Sequence, residues 1–445
     1  MKMPQHPPPF SGLLNKVQKN DKRLVRILEN RVGPTHNGRY VHWDKLRRLS
    51  PPGDLTHEEW WCGVKLARRG LLRALPLKDK QDRPFRFGLP DEAQEYLHSI
   101  DQAGGGRIEM PAGDIATSEA RDRYVVHSLI EEAITSSQLE GAVTTRQVAK
   151  EMIRSGRAPR DRSERMILNN YLAMSRIREL TDRPLDEGLV LGLHRVLTED
   201  AIDNPSAIGR FRRPDEAVAV SDDYGEVFHE PPPAEQLAGR FAALCDFANG
   251  KTPSKFVHPV IRAIILHFWL AYDHPFVDGN GRCARALFYW AMLRQGAWMC
   301  EFISISQLIR KAPARYGRAF LYTETDDNDL TYFILYHLDV IRKAFAELQD
   351  YIVRKAAALR ETEKLVRASA AFNHRQLALL SHALRHADQQ YTIRSHMTSH
   401  NVVYQTARTD LLDLARRGLL VQRKPGRALY FTPAQELEEK LRNSG

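Results

Sequence analysis

Between His274 and Arg282 the chain reads His-Pro-Phe-Val-Asp-Gly-Asn-Gly-Arg, and a further arginine stands at Arg285. Those residue types at that spacing suit a metal-bound phosphate. Gly279 and Gly281 let backbone N–H groups turn inward on an anion, which residues with side chains seldom allow. Asn280 offers a neutral amide to a phosphate oxygen. Arg282 and Arg285 lie three apart, on one side of a first helical turn, where both can meet anionic oxygens. Asp278 is a hard oxygen ligand suited to Mg2+ that still holds waters and phosphates. His274 takes a proton near pH 7 and is the candidate base.

Two helices must hold these groups. Pro259 to Asp273 runs without glycine or an internal proline, and Val260, Ile261, Ile264, Ile265, Phe268 and Trp269 recur at helical spacing, with more apolar residues between them. That predicts a helix buried on most sides, with Pro259 at its first position. Cys283 to Leu293 is again apolar and helical. The nine residues therefore form a tight loop that opens at a helix N-terminus, where the positive end of the dipole faces an anion.

The run resembles the core motif of the Fic family (Fic/Doc superfamily), His-x-Phe-x-Asp/Glu-Gly-Asn-Gly-Arg, at every position, and Arg285 meets its extended form. The resemblance implies transfer of AMP from ATP to a protein hydroxyl. His274 would deprotonate a Ser, Thr or Tyr hydroxyl, and Asp278 would hold Mg2+. Gly279, Asn280 and Gly281 would cradle the phosphates, with Arg282 and Arg285 on the outer ones. The phosphorylating Doc branch has lysine in place of the last glycine, so Gly281 favours nucleotidyl transfer.

Ser118 to Glu140 is a second helical stretch, with Val125, Leu129, Ile130, Ala133 and Ile134 on one face and Gly141 as a natural C-terminal stop. Glu140 lies at the end of the helix that disfavours its charge, so a cation facing it would explain its place. Ser136, Glu140 and Gly141 match the family's Ser/Thr-x-x-x-Glu-Gly/Asn pattern. There the glutamate pairs with the motif arginine, here Arg282, and blocks the γ-phosphate position. The resemblance implies an inhibitory helix in the same chain.

Length and composition bound the rest. At 445 residues, two or three domains are expected. A net charge of +10 favours an acidic partner, nucleic acid or nucleotide. The scattered Cys62, Cys245, Cys283 and Cys300 contain no Cys-x-x-Cys pair, which argues for reduced thiols in the cytoplasm and against structural zinc. No apolar run is long enough to span a bilayer, and Pro4, Pro7, Pro8 and Pro9 leave no signal-peptide core.

The expected fold is mainly α: a helical Fic core with a β-hairpin flap, an N-terminal helical region and a C-terminal winged helix. The divisions are 1–115, a Fic domain 116–345 with the inhibitory helix at 118–141, a connector 346–370 and a winged helix 371–445. Lys16 to Arg26 is read as basic and solvated. Thr56 to Glu59 is a capping box ahead of Trp60 and Trp61, whose helix ends at Gly70. Gly104-Gly105-Gly106 is a joint. Gly209-Arg210-Phe211-Arg212 resembles the family's Gly-x-x-Arg segment, and Val218 to Phe228 is a hairpin signal. In the family that flap pairs with an extended target segment. Here it carries Asp222 and Asp223. His258 and His267 are read as cap or core histidines. Tyr316 is a partial match to the family's adenine-side tyrosines, with core packing equally open.

Leu338 to Ala368 is read as a connector helix. Beyond it, helices from His374, Thr392 and Val402 precede a hairpin that turns at Lys424 to Arg427. On the third helix Tyr404, Gln405, Arg408 and Thr409 face outward, and Asp410 is placed with them. DNA binding and protein docking stay even. Three functions follow: an autoinhibited adenylyltransferase, a DNA-binding regulator whose Fic core senses nucleotide, or a de-AMPylase using the same residues. A homodimer is open.

Overall fold

A computed structural model describes residues 2–19, 21–104, 118–221, 224–368, 371–387, 389–423 and 429–443. They divide into two compact units, the larger holding residues up to 104 and 124–346, the smaller holding 118–123 and 347–443. Gly105, Gly106, Asp222, Asp223 and the 424–427 turn lie outside the described residues.

The larger unit opens with helices α1 (Phe10–Gln18), α2 (Asp21–Glu29), α3 (Trp43–Leu46) and α4 (His57–Arg69). The basic stretch read as solvated is helical, and its lysines Lys16, Lys19 and Lys22 are exposed. Leu13, Val17 and Ile27 are its apolar contacts, buried against Trp60 and Trp61. The Thr56 capping box is present in full. An antiparallel hairpin, β1 (Arg73–Lys78) and β2 (Pro84–Phe87), follows and was not expected. Helix α5 (Asp91–Gly104) completes this part.

The core is built from α6 (Ser118–Leu139), α7 (Arg146–Ser155), α8 (Arg162–Leu180), α9 (Glu187–Thr198), α10 (Leu237–Ala248), α11 (Pro259–Asp273) and α12 (Asn280–Arg294). Between α9 and α10 a short antiparallel hairpin, β3 (Val220–Ser221) and β4 (Val227–His229), forms the flap. Ile261, Ile264, Ile265, Phe268 and Trp269 on α11 are buried with Phe288 and Trp290 of α12, so the two helices flanking the loop are the core itself. Pro259 takes the first position of α11. After α13 (Ile305–Lys311) and α14 (Pro313–Thr325), α15 runs unbroken from Thr331 to Ala368. The connector read from Leu338 therefore continues a helix that begins at Thr331, because nothing between them breaks it.

In the smaller unit α16 (His374–Arg385), β5 (Tyr391–Thr392), α17 (Ile393–His400), α18 (Tyr404–Arg416), β6 (Leu420–Arg423), β7 (Tyr430–Pro433) and α19 (Leu437–Asn443) enclose a core of Leu379, Leu380, Leu411, Leu414 and Phe431. Three helices precede a hairpin, in the expected order. β5 adds an unforeseen third strand, giving the sheet order β5-β7-β6.

Candidate active site

The site forms where α11 ends and α12 begins. His274 stops α11 in the left-handed region, at φ 45°, so the chain turns sharply one residue after Asp273. That turn is braced from behind: the Asp273 carboxylate accepts Arg240 Nε at 2.8 Å and Trp269 Nε1 at 3.0 Å. His274 Nδ1 lies 3.3 Å from the Ala271 carbonyl. A carbonyl only accepts, so this bond puts the ring proton on Nδ1 and leaves Nε2 as a base. Burial pushes the imidazole down to about 4, so it is neutral at pH 7.

Within the loop, Asn280 Oδ1 accepts the Phe276 N–H at 2.9 Å and its Nδ2 donates to the Phe276 carbonyl at 2.8 Å. Asn280 is buried and its amide holds the loop closed, a different role from the phosphate contact read in the sequence. Gly279, at φ 86°, caps α12. A Cβ there would meet Thr198 Cγ2 at 2.8 Å, so α9 presses directly on the loop. Asp278 is 37% exposed along its side chain; one oxygen accepts from Gly279 N and from Arg282 at 3.1 Å, the other faces Arg162 at 3.5 Å. Among the described residues no three His, Cys, Asp or Glu side chains form a metal cluster. A lone accessible carboxylate still fits Mg2+, which takes one or two carboxylates and fills its shell from phosphates and water.

α6 lies along α12 in four-residue steps. The Tyr289 hydroxyl donates to Glu132 at 2.9 Å, and Arg285 donates to Ser136 Oγ at 2.8 Å and to the Ser136 carbonyl at 2.9 Å. Arg285 also donates to Glu140 Oε1 at 2.8 Å. A Cβ on Gly281 would fall 2.1 Å from that same oxygen. The glutamate's partner is therefore Arg285, and not Arg282 as read in the sequence. Residues 281 and 285 are one turn apart on the face toward α6, whereas 282 is rotated by about 100°. Arg282 is fully buried and donates to the Leu197 carbonyl at 2.8 Å and to Asp278. Loss of water opposes charge on Glu140, but the Arg285 charge and bond outweigh it and hold the carboxyl below its ordinary range. Gly141, at φ 93°, closes the turn that ends α6, with the Ala142 N–H on the Ser137 carbonyl at 3.0 Å.

The flap is tied to the same turn. Arg212 donates from its backbone to the Pro275 carbonyl at 2.8 Å and from Nε to the His274 carbonyl at 2.9 Å. His229 on β4 bonds the Tyr272 carbonyl at 2.7 Å and Glu324 at 2.8 Å. Tyr316 is half-buried; it bonds His267 at 2.9 Å and packs edge-on against Phe320. Glu132, His194 and His229 were missed in the sequence. In sequence each is one polar residue among others, and only the packing reveals its partner.

Two buried helices, a His-to-Arg loop between them and a hairpin tied to its first turn define a class. Residues 184–292 match the model of the Fic/DOC family, and the chain carries a domain of that family. Among curated proteins it is similar to the Protein adenylyltransferase Fic of Nematostella vectensis, 30% identical over 207 residues, 46% of this chain and 45% of that protein. It is likewise 30% identical over 208 residues to the Drosophila virilis protein of the same name, covering 46% of this chain and 38% of that one. The matched part thus spans less than half the length of these relatives. Among solved structures, a Fic family protein from Desulfovibrio desulfuricans G20 superposes with TM-score 0.51 at 18% identity, over 78% of this chain and 97% of that one, a likeness of fold alone.

Proposed function

We propose that this protein transfers AMP from ATP to a hydroxyl side chain of a target protein, and that α6 restrains the reaction. One observation carries the reading: a neutral histidine stands directly before a glycine-lined helix N-terminus, and a carboxylate already lies in that cradle against Gly281 and Arg285. The names of the curated relatives support the choice of adenylyl transfer. His274 Nε2 takes the proton of a Ser, Thr or Tyr hydroxyl, whose oxygen attacks the α-phosphorus; the bond to the β-phosphate oxygen breaks and pyrophosphate leaves. Backbone N–H groups at the start of α12 hold the phosphates with the helix dipole. Mg2+ bound through Asp278 would neutralise phosphate charge. Arg285 turns to the outer phosphates once Glu140 releases it. The flap aligns an extended target segment over His274.

The test uses ATP labelled at the α-phosphate with a cell lysate. Glu140→Gly should raise transfer to protein on the order of tenfold. His274→Ala in that background should lower it by about 100-fold or more. Equal labelling with and without His274 would overturn the base assignment, and an unchanged rate in Glu140→Gly would remove the restraint. Net loss of label from a pre-labelled target would favour the reverse, AMP-removing reaction.

A second reading concerns the smaller unit. Asp410, placed on the outward face in the sequence, is buried and turned inward, accepting Asn373 Nδ2 at 2.7 Å and Arg375 Nε at 2.7 Å. Arg394, Arg408 and Arg423 have no ion pair among the described residues, and Tyr404 and Gln405 are exposed. That surface supports phosphate contact on duplex DNA. Arg394→Ala with Arg408→Ala should weaken binding and flatten its salt slope by about two; absence of duplex binding by the parent at low salt would end this reading.

A further inference from the structure

α9 carries a histidine that joins the two halves of the site. His194 is fully buried. Its Nδ1 accepts the Gly209 N–H at 3.0 Å, so that nitrogen bears no proton. The ring proton is then on Nε2, which donates to the Asp278 carbonyl at 3.0 Å. The ring stacks on Phe276, with centroids 3.8 Å apart and planes at 11°.

Both partners matter to chemistry. A trans peptide points its N–H opposite to its C=O. With the Asp278 carbonyl held toward α9, the Gly279 N–H is turned the other way, where it meets the Asp278 carboxylate. One bond to His194 thereby sets the peptide plane that opens the cradle and the side on which the acid stands. Gly209 is the other partner, held at φ 69° in the turn that leads to Arg212. Arg212 bonds the carbonyls of His274 and Pro275, so the flap's root and the base share one anchor.

We propose that His194 is a positioning residue that holds the phosphate loop through its donated bond and the flap root through its accepted one. This rests on the proposed adenylyl-transfer site. The two bonds can be separated by substitution. Glutamine reaches as far as Nε2 and keeps a donor for Asp278; the asparagine oxygen stands where Nδ1 does and keeps an acceptor for Gly209.

The experiment uses the full-length Glu140→Gly protein as parent, with titration by a non-hydrolysable ATP analogue plus Mg2+ and amide hydrogen exchange over residues 209–221 and 227–229. His194→Ala should weaken nucleotide binding about fivefold and speed flap exchange. His194→Gln should keep parental affinity but exchange as fast as the alanine variant. His194→Asn should lose affinity while keeping flap protection. A merely structural role would move both readouts together in all three variants, and that result, or an alanine variant unchanged in both, overturns the proposal. Should the alanine variant fail to fold, the glutamine and asparagine variants still decide it. Should the parent bind no nucleotide, the proposed function falls, while exchange in the glutamine and asparagine variants still tests the flap bond of His194.

Discussion

At the scale of single residues, the two glycines of the loop are not equivalent. Gly279 sits at φ 86° with Thr198 Cγ2 at 2.8 Å from its would-be Cβ, and both the backbone and the neighbour are fixed. Gly279→Ala should therefore cost about 1–3 kcal/mol, a fall of several degrees in Tm. Gly281 lies in the first turn of α12, where a Cβ meets the ends of two flexible side chains, the Glu140 carboxylate and Arg285 Nη1 at 3.1 Å. Alanine also suits a helix better than glycine. Gly281→Ala should leave Tm within a degree or two of the parent while filling the cradle and abolishing nucleotide binding. Thermal scans with an ATP titration check both; equal destabilisation by the two variants would show that the close approach of α9 does not govern this loop.

At the scale of elements, α6 shows why the site was only half legible. The motif, the flanking helices and the hairpin were readable because periodicity and glycine placement are local properties. The hold on α6 is not local. Glu132 is buried and accepts from Tyr289, Ser304 at 2.8 Å and the Ser306 N–H at 3.1 Å, partners more than 150 residues away in the chain. In sequence it reads as one more polar residue on a polar-looking helix. The same blindness gave Glu140 the wrong arginine, since Arg282 and Arg285 differ only in the face they present. Glu132→Ala should strand several buried donors and loosen α6, raising transfer when Glu140 is present. In Glu140→Gly it should add nothing to the rate, because α6 acts on the cradle through Glu140. Two increases that simply multiply in the double variant would mean Glu132 acts by another route.

At the scale of the whole molecule, the larger unit is knit by buried polar groups as much as by apolar ones. Lys65 on α4 bonds Asp326 at 2.7 Å, and Arg68 bonds the Tyr332 hydroxyl at 2.6 Å, so the N-terminal helices and the core share one ion network. The unit also encloses histidines kept neutral by burial. His42, His194 and His274 are pushed down to about 4, and His337 to about 3. An unfolded histidine titrates near 6.5. Each of these therefore binds a proton on unfolding at any pH between its folded and unfolded values, so its stabilising contribution is complete above about 6.5 and is lost progressively as pH falls toward 4. His229 has the opposite sign: burial opposes its charge, but Glu324 outweighs that and raises it, so it is stabilising at low pH and offsets part of the loss. His267 is pushed down by burial as well, so the depressed histidines outweigh His229 and leave a net loss of several kcal/mol between pH 7 and pH 5, about 10 °C in the Tm of this unit. Thermal scans at the two pH values check it. A transition that holds its position or rises at pH 5 would mean that these imidazoles are already charged in the fold, and with them the base assigned to His274.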